Sequence, residues 1–73
     1  MLRYRRTAIK ELREEEGLPL DDLARRAKLT TRNLRYLERG PQIPRADTLA
    51  RLAQALGVGI GMFFEQSETE AER

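Results

Sequence analysis

Residues 20 to 40 decide the fold: Leu20-Asp-Asp-Leu-Ala-Arg-Arg-Ala27, then Lys28-Leu29-Thr30, then Thr31-Arg-Asn-Leu-Arg-Tyr-Leu-Glu-Arg39-Gly40. The two outer pieces carry apolar residues at helical spacing, and the middle piece is short enough to be a tight turn. The residues that can bury one face of both helices are Leu23, Ala24, Ala27, Leu29, Leu34 and Leu37. The other face of the second helix carries Arg32, Arg35, Tyr36 and Arg39.

A helix, a tight turn and a second helix of this size are the sequence form of a helix-turn-helix motif, whose second helix lies in the DNA major groove. The charge distribution agrees with this interpretation. Residues 1 to 40 carry eleven Arg or Lys against seven Asp or Glu, a balance of +4, whereas residues 41 to 73 carry three against five, a balance of −2. Positive charge near the helix pair is expected of a nucleic-acid-binding protein, although such asymmetry is also common in other soluble proteins.

The composition excludes several classes of site. The chain has no cysteine and no histidine, which removes disulfides, thiolate chemistry, imidazole bases and the usual structural zinc sites. We therefore expect no enzyme, no metal and no cofactor. Because no apolar run approaches about 20 residues, we also expect no membrane association and a cytoplasmic location.

The first helices can be placed by their ends. Helix 1 is predicted over about residues 4 to 16, with Ile9 and Leu12 facing inward and Gly17 just past its end. Helix 2 should begin at Pro19 or Leu20. Helix 3 should follow Thr30 as its N-cap and stop at Gly40.

The second half of the chain predicts two more helices. Helix 4 should run from Ala46 to Gly57, because Leu49, Leu52, Ala53 and Leu56 form one apolar stripe. A short fifth helix is predicted over residues 58 to 64, and no strand pattern is visible. Residues 67–73 are polar and glutamate-rich, which predicts a disordered tail after a single domain over residues 1–66.

Five short helices in this order resemble the lambda-repressor/Cro-type, or XRE-like, helix-turn-helix family. The resemblance extends from about Ile9 to Phe64. Its most specific pieces are Leu12-Arg13, Leu23-Ala24, Leu37-Glu38-Arg39-Gly40, Pro44 before Asp47-Thr48-Leu49, and Leu52-Ala-Gln-Ala-Leu-Gly-Val58. It implies an all-α, compact five-helix DNA-binding domain with the helix-turn-helix at helices 2 and 3.

The resemblance also implies roles for individual residues. The first residues of helix 3, with Tyr36 one helical turn further along, would contact bases. The chemistry suits this, because Arg can bind guanine, Asn can bind adenine and a Thr methyl can contact thymine. The expected base contacts are Thr31, Arg32, Asn33 and Tyr36. The expected phosphate contacts are the backbone of Leu20, Thr30, Arg35, Arg39 and Arg45. The alternative is that Thr31 and Asn33 only favour a helix start and that the arginines are solvated.

The chain departs from the family pattern in two places. Pro19 and Leu20 stand where a polar pair, commonly Ser-Gln, caps helix 2 and contacts a phosphate. Lys28 stands where the turn frequently has glycine, so the turn either strains this lysine or avoids a left-handed backbone there.

Two further structural features are predicted. Arg13 and Glu38 both lie at the margin of the core, and the resemblance implies that they form a partly buried ion pair; a surface pair between Arg13 and Glu16 is the alternative. The cluster Ile60, Met62, Phe63 and Phe64 has more apolar surface than one face of a short helix can bury, so these residues are expected to form a dimer contact.

These expectations lead to a functional hypothesis. The chain is predicted to be a sequence-specific double-stranded DNA-binding regulator, a repressor that binds a palindromic site as a homodimer, with no room for a small-molecule effector domain. The alternative is an adaptor or coactivator of the same fold that uses helix 5 as its contact surface.

Overall fold

The computed structural model describes residues 2–40 and 42–66. Four α-helices follow a short strand, and a turn of 3-10 helix and a second strand follow them. The elements are β1 (Leu2–Tyr4), α1 (Ala8–Glu15), α2 (Leu20–Arg26), α3 (Thr31–Arg39), α4 (Ala46–Leu56), the 3-10 turn (Ile60–Phe63) and β2 (Phe64–Gln66). The predicted tail at residues 67–73 lies outside the described residues.

The core is formed by the apolar stripes that the sequence predicts. Ile9 and Leu12 of α1, Leu23 of α2 and Leu34 of α3 are buried, as is the stripe of α4. The whole buried set is Ala8, Ile9, Leu12, Leu23, Ala24, Ala27, Leu34, Leu49, Leu52, Ala53, Leu56 and Phe63. Removal of this apolar surface from water is the main contribution that stabilises the fold. The four helices pack around this shared core.

The all-α expectation is wrong at the two ends of the described chain. Tyr4, predicted as the first residue of helix 1, instead ends β1, which pairs antiparallel with β2 so that Leu2 lies opposite Gln66 and Tyr4 opposite Phe64. The Arg5 amide extends the pairing by donating to the Phe63 carbonyl at 2.8 Å. Helix 1 is therefore shorter than predicted, because its first residues use their backbone groups in the sheet.

The predicted fifth α-helix over residues 58 to 64 is also wrong. The segment contains only the 3-10 turn Ile60–Phe63 and then enters β2. Gly59 and Gly61 disfavour a continuous α-helix. The turn instead places Phe63 fully inside the core while the chain passes into the sheet.

Three helices end in the same hydrogen-bond pattern, with one residue in a left-handed conformation. After α1 and α4 that residue is glycine, Gly17 at φ 68° and Gly57 at φ 74°. After α2 it is Lys28 at φ 61°, where the Lys28 amide donates to the Arg25 carbonyl and the Leu29 amide to the Ala24 carbonyl. These two bonds make a Schellman motif. The sequence left open whether the turn strains Lys28, and the structure shows that it does.

Candidate nucleic-acid interface

Helix α3 is positioned by a cap at its start and a buried face along its length. The Asn33 amide donates to Thr30 Oγ1 at 3.0 Å, so Thr30 is the N-cap that the sequence predicts. The Thr30 hydroxyl is exposed and keeps its own hydrogen free to donate to another acceptor. Leu34 is fully buried against the core, which turns the opposite side of the helix outward.

The outer face of α3 is basic and unneutralised. Arg32, Asn33, Arg35, Tyr36 and Arg39 are exposed there, and Thr31 is partly buried beside them. Across residues 2–40 and 42–66, none of the three arginines of this face lies within ion-pair distance of a carboxylate. Their donors are therefore available to an external acceptor.

A depression follows one side of this face, between α3 and the loop that leads to α4. It brings together Asn33, Tyr36 and Arg45, three of the residues expected to contact DNA, and Ile43 forms part of its wall. Arg45 is the N-cap residue of α4; its side chain is 86% exposed and lies 3.6 Å from the Asp47 carboxylate. We call this the loop-side depression.

A second depression follows the other side of α3, where α1 and the start of α2 meet it. It is lined by Lys10, Arg13, Leu20, Arg35, Glu38 and Arg39, and we call it the α1-side depression. The structure thus brings together Leu20, Arg35 and Arg39, which were expected to contact phosphate. The sequence interpretation did not include Lys10, which lies one turn before Arg13 on the same helix.

Helix α2 begins without a side-chain cap, in agreement with the absence of the usual polar pair. Pro19 is the N-cap residue, with an extended backbone and no side-chain hydrogen bond to the helix. Leu20 is partly buried against the core and has no polar group to offer a phosphate beyond its backbone amide.

The floor of the α1-side depression is the ion pair that the sequence predicts between Arg13 and Glu38. Arg13 Nε donates to Glu38 Oε2 at 2.7 Å and Arg13 Nη2 donates to Glu38 Oε1 at 3.2 Å, so the pair is bidentate. Arg13 Nη1 also donates to the Leu18 carbonyl at 2.9 Å. The side chains are only 15% and 7% exposed, and the hydrogen bond to Glu38 raises the pKa of Arg13. The pair ties α1 to the end of α3 and so holds the outer face in position.

The residues expected to form a dimer contact differ in their exposure. Ile60 and Met62 are 43% and 46% exposed, so they offer apolar surface. Phe63 is fully buried in the core of its own chain, which leaves it no surface for a partner and removes it from the expected contact. Phe64 is partly buried and packs edge-on against Tyr4, with ring centroids 5.8 Å apart.

The described residues also bear on metal sites and on membrane-spanning segments. Residues 2–40 and 42–66 contain no cluster of three or more side chains of the types that commonly ligate metals. In the same part of the chain, every helix is too short or too polar to cross a bilayer.

Comparisons with known proteins agree with this geometry. The family model described as "Helix-turn-helix" matches residues 9–63. The HTH-type transcriptional regulator DdrOP3 of Deinococcus deserti is 38% identical over 60 residues, which make up 82% of this chain and 46% of that protein. The chain therefore spans about half the length of this curated relative. The crystal structure of the clp gene regulator ClgR from C. glutamicum superposes with a TM-score of 0.72 at 28% identity, covering 77% of this chain and 73% of that one.

Proposed function

This chain belongs to the lambda-repressor/Cro-type, or XRE-type, helix-turn-helix family, and we propose that it is a sequence-specific double-stranded DNA-binding transcriptional regulator. The observation that carries the proposal is the outer face of α3, where Arg32, Arg35 and Arg39 are exposed and have no carboxylate partner among the described residues. Both relatives are named as regulators, which supports the same conclusion.

Base readout is assigned to the first turn of α3 and to Tyr36 one turn later. Arg32 can hold O6 and N7 of guanine with two hydrogen bonds, and Asn33 can do the same with adenine. The Thr31 methyl suits a thymine methyl, and Tyr36 is 49% exposed beside Asn33 in the loop-side depression.

Phosphate contacts are assigned to residues that flank this face. Arg35 and Arg39 lie on one side, in the α1-side depression with the Leu20 backbone, and Arg45 lies on the other side at the start of α4. Thr30 lies at the tip of α3 with a hydroxyl hydrogen to donate. Such contacts orient the helix in the groove without specifying sequence.

We further propose that two copies bind a palindromic site as a homodimer that represses by occupying a promoter. Ile60 and Met62 are exposed next to the sheet, with Phe64 partly buried beside them, and this patch is the proposed contact. A two-fold pair would place two recognition helices about 34–36 Å apart, one turn of DNA. Sedimentation that shows only monomers at high micromolar concentration, with and without DNA, contradicts the dimer.

The direct test is selection of bound duplexes from a random-sequence library, followed by fluorescence anisotropy of the recovered duplex at several salt concentrations. We expect one enriched motif with two related halves and an affinity that falls steeply with salt. If no sequence is enriched and no duplex binds even at low salt, α3 does not bind DNA. The exposed Ile60 and Met62 then favour the adaptor or coactivator alternative, with this patch as the site for a protein partner.

A further inference from the structure

The α1-side depression contains more positive charge than its own carboxylate can neutralise. Glu38 is the one acidic residue that lines it, and both Glu38 oxygens are already bound by Arg13. Lys10, Arg35 and Arg39 also line it, and none of them forms an ion pair with any residue in 2–40 or 42–66. Three cations therefore surround one depression with no counter-charge from the described chain.

Like charges in this arrangement repel one another weakly, and a bound anion would relieve that repulsion. Arg35 and Arg39 are four residues apart on α3, a spacing at which like charges repel, and Lys10 adds a third charge from α1. The Arg13–Glu38 pair fixes the floor, so the three cations cannot be neutralised by a shift of Glu38 without loss of a buried ion pair. The three exposed cations therefore offer an anion donors that no carboxylate of the described residues occupies.

We propose that Lys10 is a further DNA-binding residue, which holds a backbone phosphate in the α1-side depression together with Arg35 and Arg39. This inference rests on the proposed function, because the depression adjoins the face of α3 that would enter the groove. Leu20 brings no polar side chain to this place, and Lys10 supplies the missing donor from α1 instead. A lysine ammonium has three donors and needs no fixed fork geometry, which suits a single phosphate oxygen.

The lysine content of the chain makes the proposal directly testable. The sequence has two lysines, and Lys28 lies on the turn between α2 and α3, in a different depression with Arg26 and Arg51. Reductive methylation of the full chain, read by mass spectrometry, can compare the two sites with and without a short random-sequence duplex. We expect the duplex to suppress methylation at Lys10 and to leave the rate at Lys28 unchanged. Equal rates at Lys10 with and without bound duplex overturn the inference.

Matched variants give a second readout that does not depend on chemical modification. On the same duplex, Lys10→Gln should weaken binding about five- to tenfold at ~0.1 M salt for each bound copy and lower the salt slope by about 0.9 for each bound copy, the effect of one lost phosphate contact per copy. Lys10→Arg should restore most of the affinity, and Lys28→Gln should bind as the parent does. Circular dichroism checks that each variant is folded.

The outcomes separate this inference from the function on which it rests. If the parent fails to bind any duplex at low salt, the proposed function and this inference both fail. If the parent binds and Arg35→Ala loses affinity while Lys10→Gln does not, α3 contacts DNA and Lys10 has no part in that contact.

Discussion

Both sides of α3 carry charged side chains, but the one on the inner side is largely buried and paired, whereas those on the outer side are exposed. On the inner side, Glu38 is almost buried and is held by Arg13 through two hydrogen bonds. On the outer side, Arg32 and Arg35 are exposed and, among the described residues, have no carboxylate partner. One arginine thus joins two helices, whereas the others remain available to a ligand. Burial and pairing, rather than residue type, therefore distinguish the structural arginine from the arginines that we propose to bind DNA.

The largest effect is expected from Glu38→Ala, which tests the contribution of the buried ion pair to stability. We expect it to lower the free energy of unfolding by about 3 kcal/mol, because Arg13 would keep only its bond to Leu18 and stay largely buried without a counter-charge. Urea denaturation measures this change. A loss below about 1 kcal/mol would mean that the pair behaves as a surface ion pair. The matched control is Arg39→Ala, next in sequence on the exposed side, which should change stability by less than about 0.5 kcal/mol.

For substitutions on the outer side we expect the opposite result: they should weaken DNA binding and leave the stability of the fold unchanged. On a selected target, Arg32→Ala should cost about 1–3 kcal/mol of binding free energy and relax preference at one position in each half-site. Arg35→Ala should weaken binding to all sequences alike and reduce the salt slope by about one unit per site. Anisotropy titrations on matched and mismatched duplexes distinguish the two. If both variants bind every duplex as the parent does, the outer face is not the reading surface.

A substitution in the turn between α2 and α3, which orients α3, should have a smaller and stabilising effect. Lys28 has a left-handed backbone at φ 61°, where glycine has no steric penalty. Lys28→Gly should therefore raise the free energy of unfolding by about 0.5–1 kcal/mol, after allowance for the greater freedom of glycine in the unfolded chain. Thermal melts measure it, and Lys28→Ala, which keeps a Cβ in the strained position, should show no such gain. Equal melting temperatures for the glycine and alanine variants would show that the conformation costs nothing.

The two tyrosines differ in burial in the same way, and the smallest effect is expected from them. The Tyr4 hydroxyl is buried and has no hydrogen-bond partner in the described residues, whereas Tyr36 is exposed on the outer face. Tyr4→Phe removes an unsatisfied polar group and should stabilise the fold by less than about 1 kcal/mol at neutral pH. Tyr36→Phe should leave stability unchanged. A clear loss for Tyr4→Phe in urea denaturation would mean that the hydroxyl has a partner.

The stability of the same two variants should also differ at alkaline pH. Burial raises the pKa of Tyr4 above its ordinary value of 10.0, so the unfolded chain ionises this residue first. Ionisation of Tyr4 therefore favours the unfolded chain: it does not affect the free energy of unfolding below about pH 10 and lowers it as the pH rises from there through the folded-state pKa. The parent and Tyr36→Phe should lose stability above this pH more steeply than Tyr4→Phe. Parallel curves for all three would contradict the shift.

Local patterns predicted the helical part of the fold because their evidence lies within a few residues. The stripe Leu49, Leu52, Ala53 and Leu56 repeats at the helical period, and all four residues are buried. The N-cap at Thr30 and the end of α4 at Gly57 follow from side-chain and backbone chemistry at single positions. The same local reasoning failed for β1 and β2, because three-residue strands have too few residues to show an alternating pattern.

The sequence alone therefore determined the four helices and the motif formed by α2 and α3, and it supplied the residues that we propose to contact DNA apart from Lys10, since each depends on spacing along one short segment. Only the tertiary structure decided that the two ends of the described chain pair in a sheet, that Phe63 lies in the core, and that Lys10 shares a depression with Arg35 and Arg39. The physical reason is distance along the chain. Leu2 and Gln66, or Lys10 and Arg39, become neighbours only after the core has closed, and nothing in their local sequence encodes that approach.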